Sequence, residues 1–172
     1  GKWHVGEVSD RDTLSDLSPE SDPADPEVEA KLRAAQSRHC DEVRRCGFDY
    51  ASHIHWGNVE TRPIPALRVH NLDWLAKGAL NFLRESHAKK DGPFFLCVAP
   101  TTFHGPHHVA SLEADPRLTE TGFDNGHLGC LPPRHTIRER LAAAGLPVNH
   151  KTAGGLWMDD LVGALLAQLE AT

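Results

Sequence analysis

A short apolar run, Phe94 to Val98, lies between two segments whose apolar residues repeat with helical spacing. The first segment spans Leu72 to Leu83 and the second spans Met158 to Leu169, and each presents one apolar face. The run itself is aromatic and aliphatic and is bounded by prolines, which predicts a strand buried on both faces. The order helix, strand, helix, without tandem hairpins, predicts an α/β fold.

Proline and glycine residues that start or end helices predict where the helices lie. Pro26 followed by acidic residues predicts the start of a first helix, which we expect to reach residues 38–45 with a break and to stop at Gly47. Gly145 closes a short helix in the same way. The remaining predicted helices are at about 71–86, 136–144 and 153–170.

Charge and composition narrow the function classes. The chain has 172 residues, enough for one domain with a core, and its net charge is −6. Nine of the 24 acidic residues lie between Glu7 and Glu29, where the only basic residue is Arg11, so we expect no nucleic-acid partner. Residues 9–26 lack apolar periodicity and are predicted to form a surface loop or insertion. No apolar run is long enough to predict a membrane span.

Residues 1–6, with the sequence Gly-Lys-Trp-His-Val-Gly, place a lysine and a histidine between glycines. Lysine carries a fixed positive charge, histidine exchanges a proton near neutral pH, and glycine lets the backbone approach a ligand closely. A further histidine, His104, follows the apolar run, and open α/β sheets bind ligands at the carboxyl ends of their strands. Lys2 and His4 therefore suit an oxyanion, and His104 lies where chemistry is usually placed in such a fold.

These two elements together resemble the sulfatase family of the alkaline-phosphatase-like superfamily. In that family a Gly-Lys-Trp-His-x-Gly stretch and a later His-x-Pro, which follows a Pro-Phe-Phe-Leu strand, face one sulfate pocket. Similarity extends over nearly the whole chain, and the resemblance implies an α/β fold that is part of an alkaline-phosphatase-like mixed sheet flanked by helices. Residues 1–172 would form an internal portion of a single catalytic domain. Further matching stretches are Phe48-Asp49-Tyr50, His70-Asn71-Leu72-Asp73-Trp74 and Met158 to Gly163.

The resemblance also implies roles in the hydrolysis of a sulfate ester. Lys2 would bind the sulfate, and His4 would bind it and take the proton that lets the sulfated intermediate collapse. His104 would contact the sulfate and protonate the leaving alcohol, and His107 would contact the substrate, a sulfated small molecule or sugar. Sulfatases use a formylglycine nucleophile and a calcium ion (Ca2+), whose residues would lie outside this chain, so the chain alone is expected to be inactive and to hold no metal ligand. Family members are frequently periplasmic or secreted.

A Cys-x-Pro-x-Arg pattern, which directs formylglycine formation in this family, is present at Cys130 to Arg134. It lies after His104 rather than before Lys2, which is the wrong order for the nucleophile of the family. We therefore expect an unmodified thiol at Cys130, in a proline-stiffened loop that starts a helix. The four cysteines show neither the spacing of a zinc site nor the density of a disulfide scaffold.

Other histidines are candidates for contacts at the site. His53 and His55 would share one face of an extended segment and, with Trp56, would line a substrate wall. His107 and His108 would line the substrate mouth or supply a metal ligand, although adjacent histidines in a loop are more often surface residues.

Asp159 and Asp160 are interpreted as structural, because acids at the start of a helix interact favourably with its dipole. Arg138 to Arg140 are interpreted as an exposed helix face. Two other functions remain open from the sequence. One is a phosphodiesterase or phosphonate monoester hydrolase of the same superfamily, and the other is a non-catalytic histidine-rich module that binds a transition metal.

Overall fold

The computed structural model describes residues 14–55, 57–89, 92–126 and 129–171. Within these residues helices dominate, and short 3₁₀ turns connect them at Val59–Thr61, Pro65–Leu67 and Arg134–Thr136. The α-helices are α1 (Pro26–Arg45), α2 (Leu72–Lys89), α3 (His108–Glu113), α4 (Ile137–Ala143) and α5 (His150–Glu170), and the strands are β1 (Leu118–Thr119) and β2 (Gly122–Phe123).

The first helix begins and ends where its sequence signals predict. Its N-cap is Asp25, whose side chain accepts hydrogen bonds from backbone N–H groups of the first turn. Gly47, with a φ of +103°, follows the helix in the left-handed region that glycine favours. The predicted break is wrong: α1 is continuous, because no glycine or proline interrupts residues 27–45. Its inner side buries Leu32 and Val43.

Helices α2 and α5 pack against each other and build the main core. Leu72 and Leu80 of α2 share this buried cluster with Trp157 of α5, whose side chain is fully buried. Burial of each such side chain stabilises the fold by about 1.5–3 kcal/mol. Both helices are confirmed, and α5 begins at His150, earlier than predicted, because Asn149 caps it with a reciprocal capping box.

The short fourth helix is also confirmed, and it is attached to α5 by an ion pair. Gly145, with a φ of +69°, follows its end as predicted. Arg140 is not part of a free helix face, because its Nη1 donates to Oδ1 of Asp160 at 2.7 Å and its Nη2 donates to the other carboxylate oxygen. Asp160 is structural, as expected, but for a different reason: it lies in the middle of α5 and acts through this pair rather than through the helix dipole.

The predicted strand at residues 94–98 is wrong for the described part of the chain. These residues belong to no strand, and no backbone hydrogen bond joins residues 93–98 to another described segment. Leu96 and Val98 pack against the main core, whereas Phe95 is 78% exposed, so the segment is covered on one side only. The physical reason is that no neighbouring strand is present among the described residues to pair with it. Large apolar side chains on α5 are exposed as well, namely Val162, Leu166 and Leu169.

The acidic segment before α1 is only partly a solvated loop. In its described part, residues 14–25, Leu14 and Leu17 are buried in a second cluster with Leu32 of α1. The acidic side chains around them are exposed, and Asp16 pairs with Lys31 at 2.6 Å. Two leucines three positions apart are too few to produce a periodic signal, which is why the sequence did not indicate this anchoring.

The described residues contain a single sheet, in which β1 and β2 pair antiparallel with Leu118 opposite Phe123. The chain therefore mixes helices with strands, which agrees loosely with the α/β class, and a larger helix-flanked sheet is not present among these residues. No helix in the described ranges is both long enough and apolar enough to cross a membrane.

Candidate functional site

Lys2, His4 and Trp56 lie outside the residues that the structure describes, so the candidate site is built around His104 and His107. Both histidines are exposed and lie on a loop of residues 101–107, here named the His104 loop, which leads into α3. The loop folds back on itself, since the backbone N–H of His104 donates to the carbonyl oxygen of Thr101 at 3.3 Å. It thus presents two imidazoles to solvent.

A buried histidine holds both ends of the His104 loop. His70 is fully buried, and its Nδ1 lies 2.8 Å from Oγ1 of Thr101 while its Nε2 lies 2.8 Å from the carbonyl oxygen of Pro106. Because a carbonyl only accepts, Nε2 carries the proton and Nδ1 accepts from the threonine hydroxyl. The backbone N–H of His70 also donates to the Ser111 hydroxyl of α3 at 3.0 Å. One residue, two positions before the start of α2, therefore connects the loop to α3.

A second buried histidine, His108, supports the middle of the loop. Its Nε2 accepts a hydrogen bond from the backbone N–H of Phe103 at 3.1 Å, and its Nδ1 donates to the carbonyl oxygen of His150 at 2.9 Å. The backbone N–H of His108 donates in turn to Nδ1 of His150 at 3.1 Å. The two rings are stacked with centroids 3.9 Å apart. The first residue of α5 therefore fixes the ring that holds the loop.

Both supporting imidazoles are neutral, because each uses one ring nitrogen as donor and the other as acceptor. Burial lowers the pKa of His70 to about 4, and the nearby His108 contributes to this shift. Burial likewise lowers the pKa of His108. Because the rings stay neutral near neutral pH, their unprotonated nitrogens keep accepting hydrogen bonds from the loop. His70 and His108 therefore position the loop and do not exchange protons in this pH range.

The close approach of His108 to α5 requires a glycine. A Cβ added at Gly154 would lie 2.4 Å from Nδ1 of His108, a distance that no real side chain tolerates. A Cβ added at the next residue, Gly155, would have no neighbouring atom within 4 Å, so an alanine fits there. Gly154 is therefore the point at which the helix makes room for the buried ring.

The exposed surface of the loop combines an aromatic ring, imidazoles and a carboxylate. Phe103 is 58% exposed and has a φ of +72°, and its ring stands edge-on to that of His108 with centroids 6.0 Å apart. The Glu60 carboxylate lies against the loop, since its Oε2 is 2.9 Å from the position of a Cβ on Gly105. These groups can donate and accept protons and can contact an apolar part of a ligand.

The prediction that His53 and His55 line a substrate wall is wrong. The two rings share a face, as expected, but both pack on Trp74, at centroid distances of 4.7 and 5.2 Å, towards the interior. His55 Nδ1 lies 2.7 Å from Oε1 of Glu120, and Nε of Arg62 donates to that carboxylate at 3.0 Å. Burial alone would raise the pKa of Glu120, but Arg62 and His55 lower it to about 2. This cluster is a buried ion network that joins distant loops.

The Cys-x-Pro-x-Arg pattern has a packing role in this structure. Arg134 is buried, and its Nη2 donates to Oδ2 of Asp73 at 2.8 Å and to Oδ1 of Asn71 at 2.9 Å. Its guanidinium lies 4.9 Å from the ring centroid of Trp157. The expected loop that starts a helix is confirmed, since a 3₁₀ turn at Arg134–Thr136 leads directly into α4. Burial raises the pKa of the Cys130 thiol, which disfavours the reactive thiolate.

Within the described ranges, no group of three or more His, Cys, Asp or Glu side chains is arranged to hold a metal ion. The two adjacent histidines weighed as ligands differ in environment. His107 is exposed, whereas both ring nitrogens of His108 are engaged in hydrogen bonds, so a surface position for His108 is wrong.

Sequence reasoning missed the residues that support the loop from inside. In the sequence, His70 appears only as part of a stretch that resembles the family, and His150 and Gly154 belong to no motif. Their importance comes from contacts with residues more than thirty positions away, which no local pattern indicates. A glycine inside an otherwise helical pattern was the one available signal, because such a glycine often marks a close approach.

No protein-family model matches the chain, and no curated protein matches its sequence. The resemblance to sulfatases therefore rests on the motifs of the chain itself.

Proposed function

We propose that this chain is the internal portion of a sulfuric ester hydrolase of the sulfatase family, in which His104 contacts the sulfate and protonates the leaving alcohol. The observation that carries the proposal is the construction of the His104 loop. His104 is an exposed imidazole on a backbone that two buried neutral histidines, His70 and His108, hold from inside. This arrangement supports a role in binding and proton transfer rather than in packing.

The chemistry of sulfate ester hydrolysis explains why a fixed loop is useful. The bridging oxygen of the ester becomes an alkoxide as it leaves, and a proton donor within hydrogen-bond distance lowers the barrier to that step. A donor on a backbone that is already ordered avoids the entropic cost of being positioned during the reaction. The accessible side chain of His104 and the hydrogen bond of its backbone to Thr101 support this role.

The remaining roles in the proposal come from the resemblance. Lys2 supplies positive charge for the sulfate oxygens, and His4 takes the proton that lets the sulfated intermediate collapse. His107, exposed at the end of the loop, contacts the organic part of the substrate, a sulfated small molecule or sugar. Formylglycine and a calcium ion, contributed by residues outside this chain, supply the nucleophile and part of the charge.

Exposed apolar surface supports the proposal that the chain belongs to a larger catalytic domain. Phe94 lines one apolar groove together with Val162 and Leu166 of α5, and all three side chains are exposed. Contiguous apolar surface of this kind is usually covered in a functional protein. In the proposed domain, the remainder of an alkaline-phosphatase-like mixed sheet flanked by helices covers this surface. A periplasmic or secreted location accompanies this proposal, as in many sulfatases.

The test is a comparison of variants in the complete reading frame that encodes this chain, co-expressed with a formylglycine-generating enzyme. The measured quantity is kcat/KM for 4-nitrophenyl sulfate. We expect Lys2→Ala and His104→Ala to reduce it by at least about 100-fold, the usual contribution of a general acid. His87→Ala, which removes another exposed histidine, is the matched control and should leave the rate unchanged.

Other outcomes distinguish the alternative functions. Wild-type rates in His104→Ala would refute the role of His104. Hydrolysis of bis-4-nitrophenyl phosphate or of a phosphonate ester in preference to the sulfate would indicate the phosphodiesterase or phosphonate hydrolase alternative. Tight zinc or copper binding by the chain, without hydrolysis of any ester, would indicate the metal-binding module.

A further inference from the structure

Phe103 is the residue of the His104 loop that the packing of the protein does not explain. Its φ of +72° is a conformation that side chains with a Cβ rarely adopt, and a phenylalanine there is a clear outlier. Its ring is 58% exposed, so burial of that ring does not compensate for the strain. Folding therefore bears the cost of a strained backbone at Phe103, and no burial of its ring offsets that cost.

Buried side chains hold the backbone of Phe103 in this conformation. The backbone N–H of Phe103 donates to Nε2 of His108, and His108 is itself fixed by its hydrogen bond to the carbonyl oxygen of His150. The Phe103 ring meets the imidazole of His108 in a T-shaped arrangement, at a centroid distance of 6.0 Å and an interplanar angle of 89°. Phe103 nevertheless remains 58% exposed, beside the next residue in the chain, His104.

We propose that Phe103 is a specificity-determining residue of the candidate site, where its ring contacts the ring of a sulfate ester whose anionic group is bound at His104. This inference rests on the proposed function and adds the substrate class: esters in which the sulfate is attached to, or next to, a six-membered ring. Backbone strain held by buried side chains is typical of residues that contact ligands. Aromatic side chains contact flat or apolar ring faces favourably, whereas a short alkyl chain offers them little surface.

Binding to the chain itself tests this inference without requiring turnover. The ligands are 4-nitrophenyl sulfate, glucose 6-sulfate and ethyl sulfate, and the readout is the NMR shift of the His104 imidazole. We expect at least one ring-bearing ester to bind about tenfold more tightly than ethyl sulfate. In Phe103→Ala and Phe103→Gly this advantage should disappear, while the affinity for ethyl sulfate stays the same. The control, Phe95→Ala, removes a ring that is even more exposed and should retain the advantage.

Two variants separate the loss of the ring from a loss of structure. Glycine relieves the strain at a φ of +72°, so Phe103→Gly should be more stable to urea than Phe103→Ala, although both lack the ring. Equal loss of the ring advantage in both variants supports the inference. A loss confined to the aryl ester assigns aryl substrates, and a loss confined to the sugar ester assigns sugar substrates.

Different results would contradict the role of Phe103 and the anion site at His104. A ring advantage that persists in Phe103→Ala and Phe103→Gly overturns the role of Phe103 and leaves anion binding at His104 intact. Equal affinity of the wild-type chain for all three esters would also overturn the role of Phe103. No shift of His104 with any ester overturns the anion site, and the inference about Phe103 falls with it.

Discussion

Adjacent glycines in α5 should respond in opposite directions to the same substitution. Gly154→Ala places a Cβ 2.4 Å from Nδ1 of His108, so the buried ring must move and lose its hydrogen bonds to His150 and Phe103. Each buried polar group left without a partner costs about 1–3 kcal/mol, and the gain in helix propensity from glycine to alanine returns about 1 kcal/mol. The expected net loss in the free energy of unfolding is therefore about 3 kcal/mol.

Gly155→Ala is the matched control, because nothing lies within 4 Å of its Cβ and only the propensity term applies. We expect it to raise the free energy of unfolding by up to about 1 kcal/mol. Urea denaturation measures both variants, and the amide resonance of Phe103 reports the local hydrogen bond to His108. Equal stability of the two variants, or an unchanged Phe103 amide in Gly154→Ala, would refute the claim that α5 fixes the His104 loop through His108.

Further predictions concern buried charge and protonation. For His70 the pKa is about 4 when folded and 6.5 in its ordinary state, so the unfolded chain binds more protons between these values. The contribution of His70 to the free energy of unfolding is therefore fully present above about pH 6.5 and falls with decreasing pH, by about 2 kcal/mol at pH 5. Urea titrations of His70→Asn should show a correspondingly flatter pH dependence of stability. Arg134→Met leaves the Asp73 carboxylate buried without its ion pair and should cost about 3–5 kcal/mol at pH 7, measured by urea denaturation. Adding Asp73→Asn to that variant should recover a large part of the loss.

Controls for these variants are available on the surface. His87→Gln removes an exposed histidine and should keep the wild-type pH dependence of stability, which a buried ring alone is expected to change. Arg138→Met breaks an exposed pair with Glu113 and should cost less than about 1 kcal/mol. A pH dependence as steep in His70→Asn as in the wild type would contradict the linkage argument, and a small cost for Arg134→Met would contradict the importance of its buried pair.

The parts of the fold that follow from local signals were predictable. Pro26, Gly47 and Gly145 mark helix boundaries because proline and glycine restrict or relax the backbone at those positions themselves. The face of α2 was readable because a helix that packs on one side repeats its apolar residues at a fixed period. These signals depend on neighbours within one or two helical turns.

The parts that depend on distant partners were not predictable from the same patterns. Residues 94–98 have the composition of a buried strand, but a strand also requires a neighbour, and composition does not report whether one is present. His55 and His108 look like loop histidines in sequence, and only their pairing with Glu120 and His150 makes them interior residues. His104 is exposed on its loop, while Lys2 and His4 remain predictions.

The central claim is that Lys2, His4 and His104 bind one tetrahedral anion together. The most direct measurement is an NMR titration of the chain with sodium sulfate, with sodium chloride at matched ionic strength as the control. The account predicts that the side-chain signals of Lys2, His4 and His104 all shift and saturate with the same dissociation constant. Shifts of His104 without shifts of Lys2 and His4, or different dissociation constants for the three, would contradict it.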